Sequence, residues 1–262
     1  MFHLESPEKP PESWEQFRDR VKTHWARHFL YLDWCFAQLA WRLSRWSLLK
    51  VLAYAETFSV LVALIVWVAE AGERKQQKHY QAWQVINTAQ GKGGSGGRLD
   101  ALEQLNDDHV ALVGVDVNQA YLRNIHLERA DLRRATFVSC DLRSSHFRRA
   151  GLQDTTFTSA NLRDAEFRGA DLSDATLIDA DLTDADFRGA KVPGVTFNRA
   201  DLRGADLSGI TYWRKASVRL ANIYGVKNPP DGFVKWATEH GAVELAASDQ
   251  WNAKLEADAE LK

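Results

Sequence analysis

Residues 160–184 read ANLRDAEFRGADLSDATLIDADLTD, and the same five-residue phrase continues in both directions. Counting in fives from Leu112 gives Val117, Leu122, Leu127, Leu132, Phe137, Leu142, Phe147, Leu152, Phe157, Leu162, Phe167, Leu172, Leu177, Leu182, Phe187, Val192, Phe197, Leu202 and Leu207. All twenty are apolar. Two residues earlier stands a small or aliphatic side chain, as at Ala130, Ala135, Cys140, Ser145, Ala150, Thr155, Ala160, Ala165 and Ala170. The other three positions are mostly Asp, Arg, Ser, Thr, Gly or Asn.

A period of five fits neither the 3.6 residues of a helix turn nor the alternation of a strand. A period sustained this far indicates a solenoid. One large and one small inward residue per unit suit a chain that turns a corner at every unit, so that four units close a square coil of twenty residues. Twenty units then make about five coils, stacked at the strand spacing of about 4.8 Å. Phe137, Phe157 and Phe197 fall on one wall with Leu177 between them, and Phe147, Phe167 and Phe187 on the opposite wall, which predicts two facing aromatic columns.

The phrases ADLRR, NLRD after Ala160, ADLSD, ADLTD, ADLRG and ADLSG resemble the A(D/N)LXX motif of the pentapeptide-repeat family over roughly residues 110–223. The resemblance implies a right-handed quadrilateral β-helix. The flanks KHYQAWQVINTAQGKGGSGGRLDALEQLN and YGVKNPPDGFVKWATEHGAV are similar to segments around the repeats of membrane-associated bacterial members. After Tyr212 the phase slips by one residue, at Val218 and Ile223. The segment NPPDGFVKWATEHG is expected to cover the open end, with Pro229 and Pro230 stopping the coil, Phe233 and Trp236 carried onto it by a short helix, and Gly241 ending that helix. Glu244 to Leu261 is expected to form a final helix, so that 224–262 is a helical cap.

The N-terminal third differs in kind. Seven of the ten tryptophans lie in the first 83 residues and none between 84 and 212. From Trp14 to Trp46 apolar residues recur at helical spacing, with Arg18, Lys22, Arg27, Arg42 and Arg45 on other faces, so residues 1–47 are expected to hold an amphipathic Trp/Arg-rich helix suited to a headgroup layer. Residues 48–71 are predicted to be a single transmembrane helix: 21 of them, VLAYAETFSVLVALIVWVAEA, span about 31 Å, with Trp67 near one end and basic flanks at Lys50 and Arg74-Lys75. Those flanks are balanced and leave the orientation open. Glu56 is costly inside a bilayer unless it snorkels or meets a partner helix, which leaves a homo-oligomer open. Residues 72–109 are predicted to comprise a polar helix, a glycine hinge at 91–97 and a short covering helix over Arg98 to Asn106. GKGGSGG does not match a phosphate-binding loop, which requires Gly-Lys-Ser/Thr after four intervening residues.

Charge and motifs narrow the function. The chain carries a formal net charge of -2, and residues 115–223 hold 16 basic and 15 acidic side chains. No nucleophile stands at motif spacing from a base, the histidines are scattered and no metal-ligand cluster is legible, so no enzyme, cofactor or metal is expected. The reading is a non-enzymatic, membrane-anchored scaffold, single-pass in a bacterial inner membrane, that binds a protein partner through the outside of the rod. The alternatives are a DNA-mimicking or topoisomerase-binding rod, known among family members but in need of a strongly acidic surface, and a subunit of a membrane transport or signalling assembly. No nucleic acid is expected as a partner. The surface singled out is two arginine ladders, Arg123, Arg143 and Arg163 on one wall and Arg148, Arg168 and Arg188 on the next. Residues 123–149 hold seven arginines, whereas 171–186 hold six aspartates and no basic residue.

Overall fold

The computed structural model describes residues 13, 15–16, 27–44, 47–89 and 94–260. The chain divides into two compact units, Met1–Lys75 and Gln76–Lys262.

The first unit contains helices α1 (Arg27–Ser44) and α2 (Ser47–Ala69), and the start of α3 (Ala71–Thr88). The expected amphipathic helix is described only from Arg27; most of the stretch from Trp14 to Ala26 lies outside the described residues. The same holds for the Glu56 side chain. Along α2, nine large apolar side chains between Phe58 and Val68 are exposed, Trp67 by 62% and Val60 by 69%. The span expected over 48–71 is not met among the described residues: no helix there is long and apolar enough to cross a membrane.

In the second unit the five-residue register is realised in full. The twenty unit centres from Leu112 to Leu207 are all buried, most of them completely, and so are the residues two places earlier from Val115 onward. Every unit but that of Val192 carries a turn closed by a hydrogen bond three residues on, as from Ala160 N to Phe157 O at 3.0 Å. The third turn residue has positive φ, which is why Gly, Asp, Asn and Ser recur there; Arg129 and Arg149 adopt it at φ 59° and 57°. The residue before each centre pairs in parallel with the residue twenty positions later, for example Thr136 with Thr156, Thr156 with Thr176 and Thr176 with Thr196. The walls are therefore ladders of single bridged residues, not the continuous strands that the word β-helix suggests, because a corner at every fifth residue leaves one residue per unit to pair.

Both aromatic columns are present. Phe137 stacks on Phe157 at 5.0 Å, Phe147 on Phe167 at 5.3 Å and Phe167 on Phe187 at 5.0 Å. Rings of facing walls meet edge to face at 5.8–6.1 Å. At the far end Tyr212 takes positive φ and a 3-10 turn, Trp213–Lys215, inserts one residue. The pairing then runs at 21, from Thr196 to Ser217, Asp201 to Asn222 and Asp206 to Lys227. This is the expected phase slip.

The ends of the rod are covered. Helix α4 (Arg98–Asp107) closes the first coil with Leu102 and Leu105 fully buried. Ala82 and Ile86 of α3 join the same core, so the boundary between units falls at Lys75 and not at the glycine stretch. Of the expected hinge, 91–93 lie outside the described residues, but Gly94 is paired with Ala120 and its carbonyl accepts from Arg98 Nη2 at 2.6 Å. That half of the glycine stretch is part of the rod's first layer. At the other end α5 (Phe233–Glu239) brings Phe233 and Trp236 to 5.5 and 5.1 Å from Trp213. The last helix, α6 (Ser248–Glu260), begins four residues later than the sequence suggests, because Val243 pairs with Asn222 and Leu245 bonds to its side chain.

Candidate functional site

With the lumen filled by Leu and Phe, the second unit presents only its exterior to a ligand. The turn residues fix what stands there. On the wall of Leu122, Leu142, Leu162 and Leu182, the arginines are largely spent on neighbouring acids. Arg123 Nε donates to Asp141 Oδ2 at 2.6 Å, and Arg143 holds the same carboxylate at 2.7–2.8 Å. Arg163 lies 3.6 Å from Asp181. Arg203, further along that ladder, grips Asp201 and also donates to Ser248 Oγ at 2.9 Å, which makes it a strut of the C-terminal cap.

The wall of Leu127, Phe147, Phe167 and Phe187 is different. Its bridge ladder runs His126, His146, Glu166, Asp186, Asp206. Arg148 donates across coils to Glu166, and Arg188 donates within its own coil to Asp186 at 2.8 Å. Both nearby acids are thereby taken, and Arg168 between them makes no ion pair among the described residues. At the adjacent corner, Arg129 and Arg149 are likewise exposed and unpaired among the described residues, since the turn points them outward. The two rows enclose an open groove of about 660 Å³ lined by Glu128, Arg129, Arg148, Arg149, Arg168 and Arg188, with Gly169 and Gly189 widening its floor. Five arginines face one carboxylate.

The acids on this wall are tuned by their partners. The Arg148 hydrogen bond, helped by His146, holds the Glu166 carboxyl below the ordinary range against a smaller opposing effect of burial. Arg188 does the same for Asp186. A lowered folded-state value means that each charge contributes stability above the ordinary carboxylate pKa of about 4 and loses it as pH falls through the lowered value. Glu166→Gln combined with Asp186→Asn is therefore expected to flatten the acid limb of a stability–pH curve below about pH 4 while leaving the plateau near pH 7 lower; an unchanged acid limb counts against these pairs.

Other chemistry is sparse. Burial raises the Cys140 thiol to about 11, and its Sγ sits 3.0 Å from Val117 O, so it acts as a small wall residue and not as a nucleophile. Of the six arginines expected to form the surface, Arg148, Arg168 and Arg188 are brought together in the groove, whereas Arg123, Arg143 and Arg163 stand outside it on the neighbouring wall. Arg129 and Arg149 are not among the arginines singled out from sequence; their place in the third turn position, directly after Glu128 and Arg148, is the available signal. The sequence reading also finds no metal-ligand cluster, yet the twenty-residue register brings ligand atoms of His126, Glu128 and His146 within 4.8 Å of one another.

The repeat region matches the sequence model of the family described as a pentapeptide repeat region, over residues 108–176 and 130–207. Among solved structures, the chain is similar to the pentapeptide repeat protein Rfr23 of the cyanobacterium Cyanothece 51142, with 28% identity and a TM-score of 0.26 over 39% of this chain and 63% of that one. It is also similar to a pentapeptide repeat protein of the Arabidopsis thaliana thylakoid lumen, with 24% identity and a TM-score of 0.37 over 53% and 81% of the two chains. Full-length QnrB1, a plasmid-mediated fluoroquinolone resistance protein, gives 19% identity and a TM-score of 0.24 over 56% and 95%. The chain thus spans under two thirds of the cyanobacterial protein's length. No curated protein matches it.

Proposed function

From a repeat region that belongs to the pentapeptide-repeat family, we propose that the chain is a non-enzymatic interaction scaffold whose arginine groove docks an acidic segment of a protein partner. The observation that carries this is the excess of positive charge at one place: Arg129, Arg149 and Arg168 are unpaired among the described residues in a groove with a single acidic side chain. Arginines held a coil apart on a rigid wall present forked donors without first having to be ordered, which suits carboxylates spaced along an extended peptide. The two partly paired arginines, Arg148 and Arg188, are available by exchange of one carboxylate for another.

A glutamate-rich peptide is the direct probe. Arg148→Glu, Arg168→Glu and Arg188→Glu together are expected to weaken its binding by about a hundredfold or more at 50 mM salt, and binding by the unaltered chain is expected to fall steeply with ionic strength. The matching triple change at Arg123, Arg143 and Arg163 is expected to have the smaller effect. Equal losses on the two walls would refute the groove; circular dichroism and melting curves check that each variant is folded.

A second reading concerns the N-terminal unit. The exposed apolar side chains of α2 occur on all sides of the helix, an arrangement stable in a bilayer or among other apolar helices and unfavourable in water. We place this segment in a membrane, where it tethers the scaffold. Extraction from membranes should then require detergent, and release by alkaline carbonate would reduce α2 to a peripheral element.

A further inference from the structure

We propose that His126, Glu128 and His146 form a binding site for a divalent transition metal of the zinc class, joining two successive coils of the rod. The two histidines are bridge partners in the wall ladder, so their backbones are fixed one coil apart. Their rings stack in parallel, with centroids 4.5 Å apart and an angle of 6° between planes. Glu128 Oε1 lies 3.7 Å from His126 Nδ1, and one ligand atom from each of the three residues falls within 4.8 Å of the others. Four-coordinate binding at metal–nitrogen distances of about 2.1 Å needs ligand atoms about 3.4 Å apart, so the site closes when the ligand atoms move in by about an ångström and the His126 ring turns out of parallel with that of His146, bringing both lone pairs onto one ion. That rotation is open to His126, whose side chain is 60% exposed, and to Glu128.

The donor set decides the class of ion. Two imidazoles and a carboxylate suit zinc, copper, nickel or cobalt, whereas calcium and magnesium take oxygen ligands. Three protein ligands leave one position for water. Glu166 stands beside the site, its Oε2 3.2 Å from His146 Nδ1, where a carboxylate can orient a ligating imidazole. Arg148 holds Glu166 in that place. Like-residue stacking of two histidines serves no ladder purpose that the threonine column on the opposite wall does not serve.

The test uses the full chain in detergent, with zinc chloride as the probe in calorimetry and copper(II) in electron paramagnetic resonance. One zinc ion per chain, nitrogen hyperfine structure from two imidazoles, and a rise of several degrees in the melting temperature of the rod at saturating zinc are expected. His126→Ala with His146→Ala should lower zinc affinity by about 100-fold or more and abolish the melting shift; Glu128→Gln, an exposed change that does not threaten the fold, should weaken binding by about tenfold. His109→Ala should leave both readouts unchanged. A dissociation constant for zinc above about 1 mM in the unaltered chain, or unaltered affinity in the double-histidine variant, would overturn the site.

Discussion

Phe167→Ala is expected to lower the unfolding free energy by about 3–5 kcal/mol, the largest loss of any single change considered for this chain. Its ring is completely buried and is held from three directions, stacked between Phe147 at 5.3 Å and Phe187 at 5.0 Å and meeting Phe157 edge-on at 6.0 Å. The size of the loss depends on how far the surroundings can collapse into the void. Here they cannot collapse far. The four walls are tied coil to coil by backbone hydrogen bonds such as Phe147 N to Glu166 O and Phe167 N to Asp186 O, both 2.8 Å, so the tube keeps its bore when a plug is removed. A solenoid carries its stability in nearest-neighbour terms. Phe197, whose one ring contact among the described residues is Phe187 at 5.9 Å and which is 6% exposed, lies at the end of the column and its truncation should cost clearly less. Denaturant titration of the two variants measures the difference. Equal losses would mean that the rod responds as one cooperative block and that ring stacking within a column adds nothing beyond burial.

What could be read from residues alone follows from which forces act along the chain and which act across it. Burial acts along it: every fifth position must be apolar to fill the lumen, and the fifth-residue register, the facing phenylalanines and the slip at Tyr212 are all consequences of that single demand. Two matters act across it. Arg168 is left over only because Arg148 reaches forward to Glu166 while Arg188 folds back on Asp186, a choice of partner that spacing does not reveal. Similarly, Arg123 and Arg143 share Asp141, whereas one wall away Arg168 has no ion pair among the described residues. His126 and His146 look scattered in sequence and become neighbours once the coil length of twenty is applied to polar positions as well as apolar ones. In α3 the charges dominate the sequence pattern, while Ala82 and Ile86 place its second half in the rod's core.

Asn222→Leu is expected to cost about 2–3 kcal/mol and to loosen the C-terminal cap before the rod. Asn222 is completely buried at the point where the regular coils end. Its Nδ2 donates to Leu245 O at 2.8 Å, and its Oδ1 accepts from Leu245 N and Tyr224 N, each at 3.2 Å. An apolar replacement of similar volume keeps the space filled but leaves three backbone groups without partners, and an unmade buried bond costs more than a made one returns. Other polar links hold the same segment, among them Arg203 Nη1 to Ser248 Oγ at 2.9 Å, Trp251 Nε1 to Leu220 O at 3.1 Å and Arg219 to Asp258, so the cap should open without being lost. Hydrogen exchange separates the outcomes. Faster exchange confined to residues after Ile223, with protection retained in the coils around Phe147 and Phe167, is the expected pattern. If exchange rises throughout the rod, the cap is the element that locks the coils together, and truncating it should unfold the arginine groove as well.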